Sequence, residues 1–187
     1  QGQKPWQPED ERNPLNVYGN SKYLGELAVQ KYIEKYFIVR IAWVFGINGK
    51  NFINTMLNLG LTHDRLTVVS DQIGTPTYTY DLSRLLVDMA ESEKYGIYHA
   101  TNEGGYISWY DFTVEIMKQA AKYNDKYSKV EVLPVGSDMY PAKAKRPSNS
   151  RMDKSKLKNQ GFEPLPDWKD ALSRYLQQKM EIENGTN

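Results

Sequence analysis

The chain has 187 residues, 40% of them hydrophobic and 25% charged, with a formal net charge of +1. That balance fits a soluble globular domain or part of a larger one, and argues against a dedicated nucleic-acid or membrane-surface protein. There is no cysteine, which excludes disulfide scaffolds, cysteine–zinc sites and thiol catalysis, and agrees with a reducing cytoplasm.

No apolar run approaches the roughly 20 residues of a membrane span, and we expect no signal peptide. The opening "QGQKPWQPEDERNP" is polar, Pro-rich and loop-like and has no initiator Met. We expect a piece whose upstream part is missing.

Taken in order, Asn16 caps a predicted helix to about Tyr36, with Leu24, Leu27, Ala28 and Tyr32 as its apolar stripe. "FIVRIA", residues 37 to 42, reads as a short buried strand, and Asn48-Gly49 as a turn. A helix is predicted from about Asn51 to Leu61, then a strand from Leu66 to Val69. "SDQIGTPTYTYD" reads as a loop, from which Thr79 or Asp81 opens a helix to about Glu91. Gly96 to Ala100 is a predicted strand. Ser108, with Asp111 in the first turn, caps a helix through about Lys122. A strand over Val130 to Val135 precedes the irregular "GSDMYPAKAKRPSNS". That irregular stretch holds the short basic cluster Lys143, Lys145 and Arg146, whose lysines read as merely solvated. A short helical "DKSKLKNQ" ends at Gly161, and Asp167 caps a last helix from Trp168 to about Glu181. The tail from 182 to 187 reads as disordered.

Strands alternating with helices imply βαβ units and a mostly parallel sheet, hence an α/β fold. In open sheets of this kind ligands bind beyond the carboxyl ends of strands.

Within "NVYGNSKYLGE", Tyr18 and Lys22 stand at i and i+4, on one face of a helix. A free tyrosine hydroxyl has a pKa of about 10, and a nearby ammonium favours its phenolate. Such a pair can deliver a proton to a developing alkoxide, as carbonyl reduction requires. The spacing alone is weak: about one Tyr-x-x-x-Lys match is expected by chance in a chain this rich in both residues. A second match, Tyr175 to Lys179, reads as incidental.

The surrounding segments are more specific. "NPLNVYGNSKYLGE" resembles the active-site helix of the extended short-chain dehydrogenase/reductase superfamily. The next strand with Trp43-Val44-Phe45-Gly46, together with "GKNFINTML", "VVSDQIGTPTYTYDLSRLL", "GIYHATNEGGYISWYDF" and "RPSNSRMDKSKL", resembles a narrower group, the dTDP-4-dehydrorhamnose reductases. The likeness covers nearly all of residues 5 to 178.

The resemblance implies the C-terminal part of a Rossmann-like parallel sheet plus a smaller α/β substrate-binding lobe. It assigns 1–42 and 79–101 to the first and 43–78 and 102–181 to the second. It implies reduction of dTDP-4-dehydro-L-rhamnose by hydride from NADPH or NADH. Tyr18 matches the proton donor, and Lys22 the residue that holds the nicotinamide ribose and supports the tyrosine. Trp43 matches a sugar contact, with a core tryptophan as the alternative. Asn51 and Phe52, expected substrate-binding residues, open the following helix, whose N-terminus could offer backbone donors to an anionic group. Gln72, Gly74, Thr75 and Pro76 match a loop near the nucleotide-sugar, or are simply a capped turn. Arg146 could pair with a diphosphate or form a structural salt bridge. His63 and His99 show no metal or triad spacing, and His99 reads as a satisfied core residue.

The pattern departs from the family in one respect. No G-x-x-G-x-x-G occurs, so the turn that cradles a dinucleotide pyrophosphate is expected upstream, with the family's catalytic Ser or Thr. A non-catalytic nucleotide-sugar-binding or regulatory module and an epimerase or dehydratase are the competing functions. "DQIGTPT" and "RPSNSRMDKSKL" favour the reductase. The expected partners are a dTDP-sugar, without nucleic acid or membrane, and the pattern is compatible with a homodimer in the cytoplasm serving cell-surface polysaccharide synthesis.

Overall fold

The computed structural model describes residues 2–140, 146–183 and 185. Lys143 and Lys145 of the basic cluster lie outside them. Helix α1 spans Val17–Tyr32 and begins where the Asn16 side chain accepts the Gly19 N–H at 2.8 Å. Strand β1 (Phe37–Arg40) pairs in parallel with β6 (Gly96–His99), placing Arg40 opposite His99. Between them come β2 (Val44–Phe45), α2 (Phe52–Thr62), β3 (Arg65–Val69), β4 (Ile73–Gly74), β5 (Thr77–Tyr78) and α3 (Thr79–Ala90). Then follow β7 (Ile107–Ser108), α4 (Trp109–Ala120), β8 (Glu131–Val135), α5 (Ser155–Asn159) and α6 (Trp168–Glu183).

Among the described residues the strands make four separate two-stranded pairs, three parallel and one antiparallel, instead of one continuous sheet. The "SDQIGTPTYTYD" stretch, expected to be loop, supplies β4 and β5. Two-residue strands carry no periodicity of their own, so the pattern of apolar residues could not reveal them.

Local signals at helix ends operate as their chemistry dictates. Ser108 and Asp111 form a reciprocal capping box at α4. Gly161, at φ 74°, takes the left-handed position just after α5. Asp167 Oδ1 accepts the Lys169 N–H at 2.7 Å at the start of α6. That last helix continues through Glu183, so residues 182 and 183 of the expected disordered tail are helical.

Two apolar clusters organise the body. The larger gathers α2, α4, α6, β3 and β8 around Phe45, Ile53, Phe112, Ile116, Leu172 and Leu176. The smaller joins α3 and β6 through Leu85, Met89 and Tyr98 to Leu157, Phe162 and Leu165. Phe37, Val39 and Ile41 pack on this smaller cluster, while Arg40, on the opposite face, bonds to α1. This is the alternation of a strand covered differently on its two sides. Every residue of β1 is half-buried, so the strand is not the fully buried one expected.

The buried carboxylate of Asp81 ties the two halves. It receives two hydrogen bonds from Arg174 at 2.8 and 2.9 Å and one from Asn102 at 2.7 Å. Asn102 also accepts the Tyr78 N–H and donates to Pro166 O. Three elements far apart in the chain thus share one fully hydrogen-bonded charge.

The predicted apolar stripe of α1 faces outward. Leu24 is 55% and Tyr32 73% exposed, and the helix buries no residue. Its inward line is Gly19, Tyr23, Glu26 and Val29, all half-buried. Two features select that line: the close approach of Gly19 to Pro14, and the ion pair between Glu26 and Arg40. Neither is visible in a count of apolar spacings. Among the described residues, no helix is long and apolar enough to cross a membrane.

Candidate functional site

Two clefts hold most of the residues singled out from the sequence. The first, about 510 Å³, is bounded by α1, the loop before it, and the segment 147–152. Tyr18 and Lys22 both line it. Tyr18 is 71% exposed, and the Lys22 ammonium lies 5.4 Å from its ring centre. The i, i+4 spacing therefore brings ammonium and phenol together on an open face. Among the described residues Lys22 forms no salt bridge.

Behind this pair lies a layer of bonded charges. Arg40 donates to both Glu26 oxygens, at 2.7 and 2.6 Å, and to Pro8 O at 3.1 Å. His99 sits beside it, with Nε2 3.4 Å from Arg40 Nη1 and Nδ1 3.1 Å from Trp6 O. An arginine can only donate and a carbonyl can only accept, so these partners select the neutral imidazole with its proton on Nδ1. His99 is a satisfied buried residue.

Burial first, then the Arg40 guanidinium, push the His99 pKa down from 6.5 to about 4. Below pH 6.5 the unfolded chain takes up a proton that the folded chain refuses, so stability falls as pH drops from about 6.5 toward 4. We expect a loss of about 2 kcal/mol between pH 7 and pH 5 from this group. Urea melts at the two pH values should show it, and His99→Gln should flatten the slope. An equal slope in the variant would refute the assignment.

The second cleft, also about 510 Å³, opens between α2, β3, α4 and the 3₁₀ segment Ser137–Met139. Phe52, Gln72 and Arg146 line it, together with Trp109 and Tyr140, which the sequence reading did not single out. Arg146 is exposed and forms no ion pair among the described residues. Ser137 of its wall is held by Asp71, which accepts the Ser137 N–H at 3.0 Å and its hydroxyl at 2.9 Å. The bond from the backbone N–H, then that from the hydroxyl, hold the Asp71 carboxyl below the usual range. The Tyr140 and Thr67 hydroxyls also meet there.

Trp43 stands at the edge of this second region. Its ring stacks on Trp109 with centroids 3.7 Å apart and planes 17° from parallel. Gly74 lies close against the ring edge: a Cβ at that position would come within 3.0 Å of the indole. Only glycine leaves room for that approach. Trp43 is also the one non-glycine residue with positive φ, at 50°, among the described residues. A left-handed backbone there costs on the order of 1 kcal/mol, which the stack and the surrounding apolar packing offset.

The other expected loop and helix residues are engaged in holding the backbone. Asn51 caps α2 through the Asn54 N–H at 2.9 Å, and its amide donates to Gly46 O at 2.9 Å. Thr75 is buried and donates to Gly105 O at 2.9 Å. Gln72 alone of the 72–75 loop lines the second cleft. The nearest signal for the missed Glu26 was its place one further helical turn beyond Lys22. Trp109 carried no such signal, since its partner is 66 positions away.

The α/β chain thus carries a tyrosine–lysine pair on one cleft and an aromatic, singly basic lining in another. The chain belongs to the RmlD substrate binding domain family, whose pattern matches residues 1–181. It is 41% identical over 167 residues to a dTDP-4-dehydrorhamnose reductase from Aggregatibacter actinomycetemcomitans, covering 86% of this chain and 56% of that protein. It is 37% identical over 178 residues to the spore coat polysaccharide biosynthesis protein SpsK of Bacillus subtilis (strain 168), covering 95% and 60%. A solved dTDP-4-dehydrorhamnose reductase from Bacillus anthracis str. Ames, in complex with NADP, superposes with a TM-score of 0.84 at 37% identity, covering 93% of this chain and 59% of that one. The chain thus spans about 60% of the length of the curated relatives it matches.

Proposed function

We propose that this chain belongs to an enzyme that reduces dTDP-4-dehydro-L-rhamnose to dTDP-L-rhamnose with NADPH or NADH. The observation that carries the reading is the exposed Tyr18 with the Lys22 ammonium 5.4 Å from its ring, on the wall of a cleft. The relatives' names supply the substrate.

The donor set suits a nicotinamide nucleotide. Lys22 offers an ammonium free of carboxylate partners among the described residues, which matches the vicinal hydroxyls of a ribose. A bound NADPH would supply the hydride that adds to C4 of the sugar. Tyr18 then gives its hydroxyl proton to the O4 oxygen as charge builds there, and the phenolate regains a proton from solvent through the open cleft. Lys22 stabilises that phenolate through its charge. Each turnover consumes one ketone, one NADPH and one proton, and yields one alcohol and NADP.

The second cleft, with Phe52, Gln72, Trp109 and Arg146, is our candidate for the nucleotide end of the substrate. Aromatic walls suit a base, and the Arg146 fork suits a diphosphate. We read 1–42 and 79–101 as the cofactor-side lobe and 43–78 and 102–181 as the substrate lobe. We take the enzyme to be cytoplasmic and its product to feed cell-surface polysaccharide.

The test is direct. The protein as its gene encodes it, given NADPH and dTDP-4-dehydro-L-rhamnose, should lose absorbance at the nicotinamide band and form dTDP-L-rhamnose by NMR. No ketone-dependent oxidation with either NADPH or NADH would overturn the reading.

A further inference from the structure

We propose that Glu26 and Arg40 form the clamp that fixes the rotation of α1 and so aims Tyr18 and Lys22 into the cleft. Both are positioning residues. The inference rests on the reading of Tyr18 and Lys22 given above.

Apart from the close approach of Gly19 to Pro14, packing does little to set the orientation of α1. The helix buries no residue, and its apolar stripe points away from the body. Among the described residues, every ion pair and every hydrogen bond between two side chains that leaves α1 passes through Glu26. Those bonds are bidentate, at 2.7 and 2.6 Å, between side chains only 16% and 18% exposed. A planar guanidinium meeting a carboxylate in this way fixes direction as well as distance. Arg12 adds a longer contact to the same carboxylate, at 3.9 Å.

The other half of the clamp is itself held. Arg40 lies on β1, opposite His99 of β6 in register, and also donates to Pro8 O. The strand pair and the loop before α1 therefore converge on the one guanidinium that grips the helix. Glu26 follows Lys22 by one helical turn and Tyr18 by two, so the three lie on neighbouring strips of the helix, with Glu26 turned inward and Tyr18 exposed. A tyrosine hydroxyl stands roughly 9 Å from its helix axis, so a rotation of only about 15° displaces it by about 2 Å. Displacements of about 1 Å can cost a hundredfold in rate.

Steady-state kinetics on the protein as encoded by its gene decide the matter. Glu26→Gln keeps the shape but removes the charge. It should lower kcat about tenfold or more and raise the cofactor KM several-fold through Lys22. The KM for the nucleotide-sugar, set by the other cleft, should stay within about twofold. Arg40→Lys keeps one donor without the fork and should retain more activity than Arg40→Met, with the same split of constants. If Glu26→Gln does not fold, the two Arg40 variants carry the test. A lower kcat with the cofactor KM unchanged, matching only a smaller folded fraction, would overturn the clamp, as would wild-type kinetics in the folded variants. Tyr18→Phe, assayed alongside, separates the two claims. Wild-type turnover there overturns the site itself, and a large loss there with normal Glu26 and Arg40 variants overturns the clamp alone.

Discussion

Tyr18→Phe is expected to lower the turnover of the ketone by about a hundredfold or more, because loss of a positioned general acid costs about that much. The KM for the nucleotide-sugar should change little, since the hydroxyl acts on an oxygen that becomes basic only as hydride arrives. The substitution is structurally mild. Tyr18 is 71% exposed, and its hydroxyl holds no hydrogen bond within the described chain, so thermal stability should stay within about 0.5 kcal/mol of the wild type. Kinetics and a melt on the same preparation check both halves. Near-normal turnover would remove Tyr18 from the mechanism.

The second large effect concerns stability. Arg174→Met should destabilise the fold by about 3 kcal/mol. It leaves Asp81, only 4% exposed, with a buried charge held by Asn102 alone. Intact buried pairs contribute little net stability, whereas broken ones leave an uncompensated charge. Arg174 is itself one-third exposed, which puts the figure at the lower end of the usual range. In a domain of this size the melting temperature should fall by roughly 6 to 12 °C. Adding Asp81→Asn should recover part of the loss, because the stranded carboxylate is then gone. A single variant that melts within about 2 °C of the wild type would show that water or a neighbour satisfies Asp81 unaided.

What was legible in the sequence was local. The Ser108–Asp111 capping box, Gly161 after α5 and Asp167 before α6 each act over three residues or fewer, so composition and spacing reveal them. The pairing of Tyr18 with Lys22 is local too, one helical turn long. What escaped was set by contacts between distant positions. The outward stripe of α1 misled because the rotation of that helix is fixed by Arg40, 14 residues from Glu26. Likewise Asp81 and Arg174 are 93 residues apart, and Trp43 meets Trp109 across 66. No periodicity encodes such meetings; only the fold brings them about. The same holds for the division into two clefts, which separates Tyr18 and Lys22 from Gln72 and Arg146.

These long-range contacts also order the energetics. The core beneath the second cleft rests on fully buried aromatics such as Phe45, Phe112 and Tyr175, whereas α1 buries no residue and is tied mainly through the charges around Glu26. The face proposed for chemistry is therefore the less firmly packed one, as is common where a binding surface must admit a ligand.

The central claim is that Tyr18 hands a proton to the sugar oxygen while Lys22 holds the cofactor beside it. A crystal structure of the protein as encoded, soaked with NADP and dTDP-L-rhamnose, measures this directly. The account predicts the Tyr18 hydroxyl at about 2.6–3.2 Å from O4 of the sugar, with Lys22 Nζ on the ribose hydroxyls. A Tyr18 ring turned to solvent, with some other side chain bonded to O4, would contradict it.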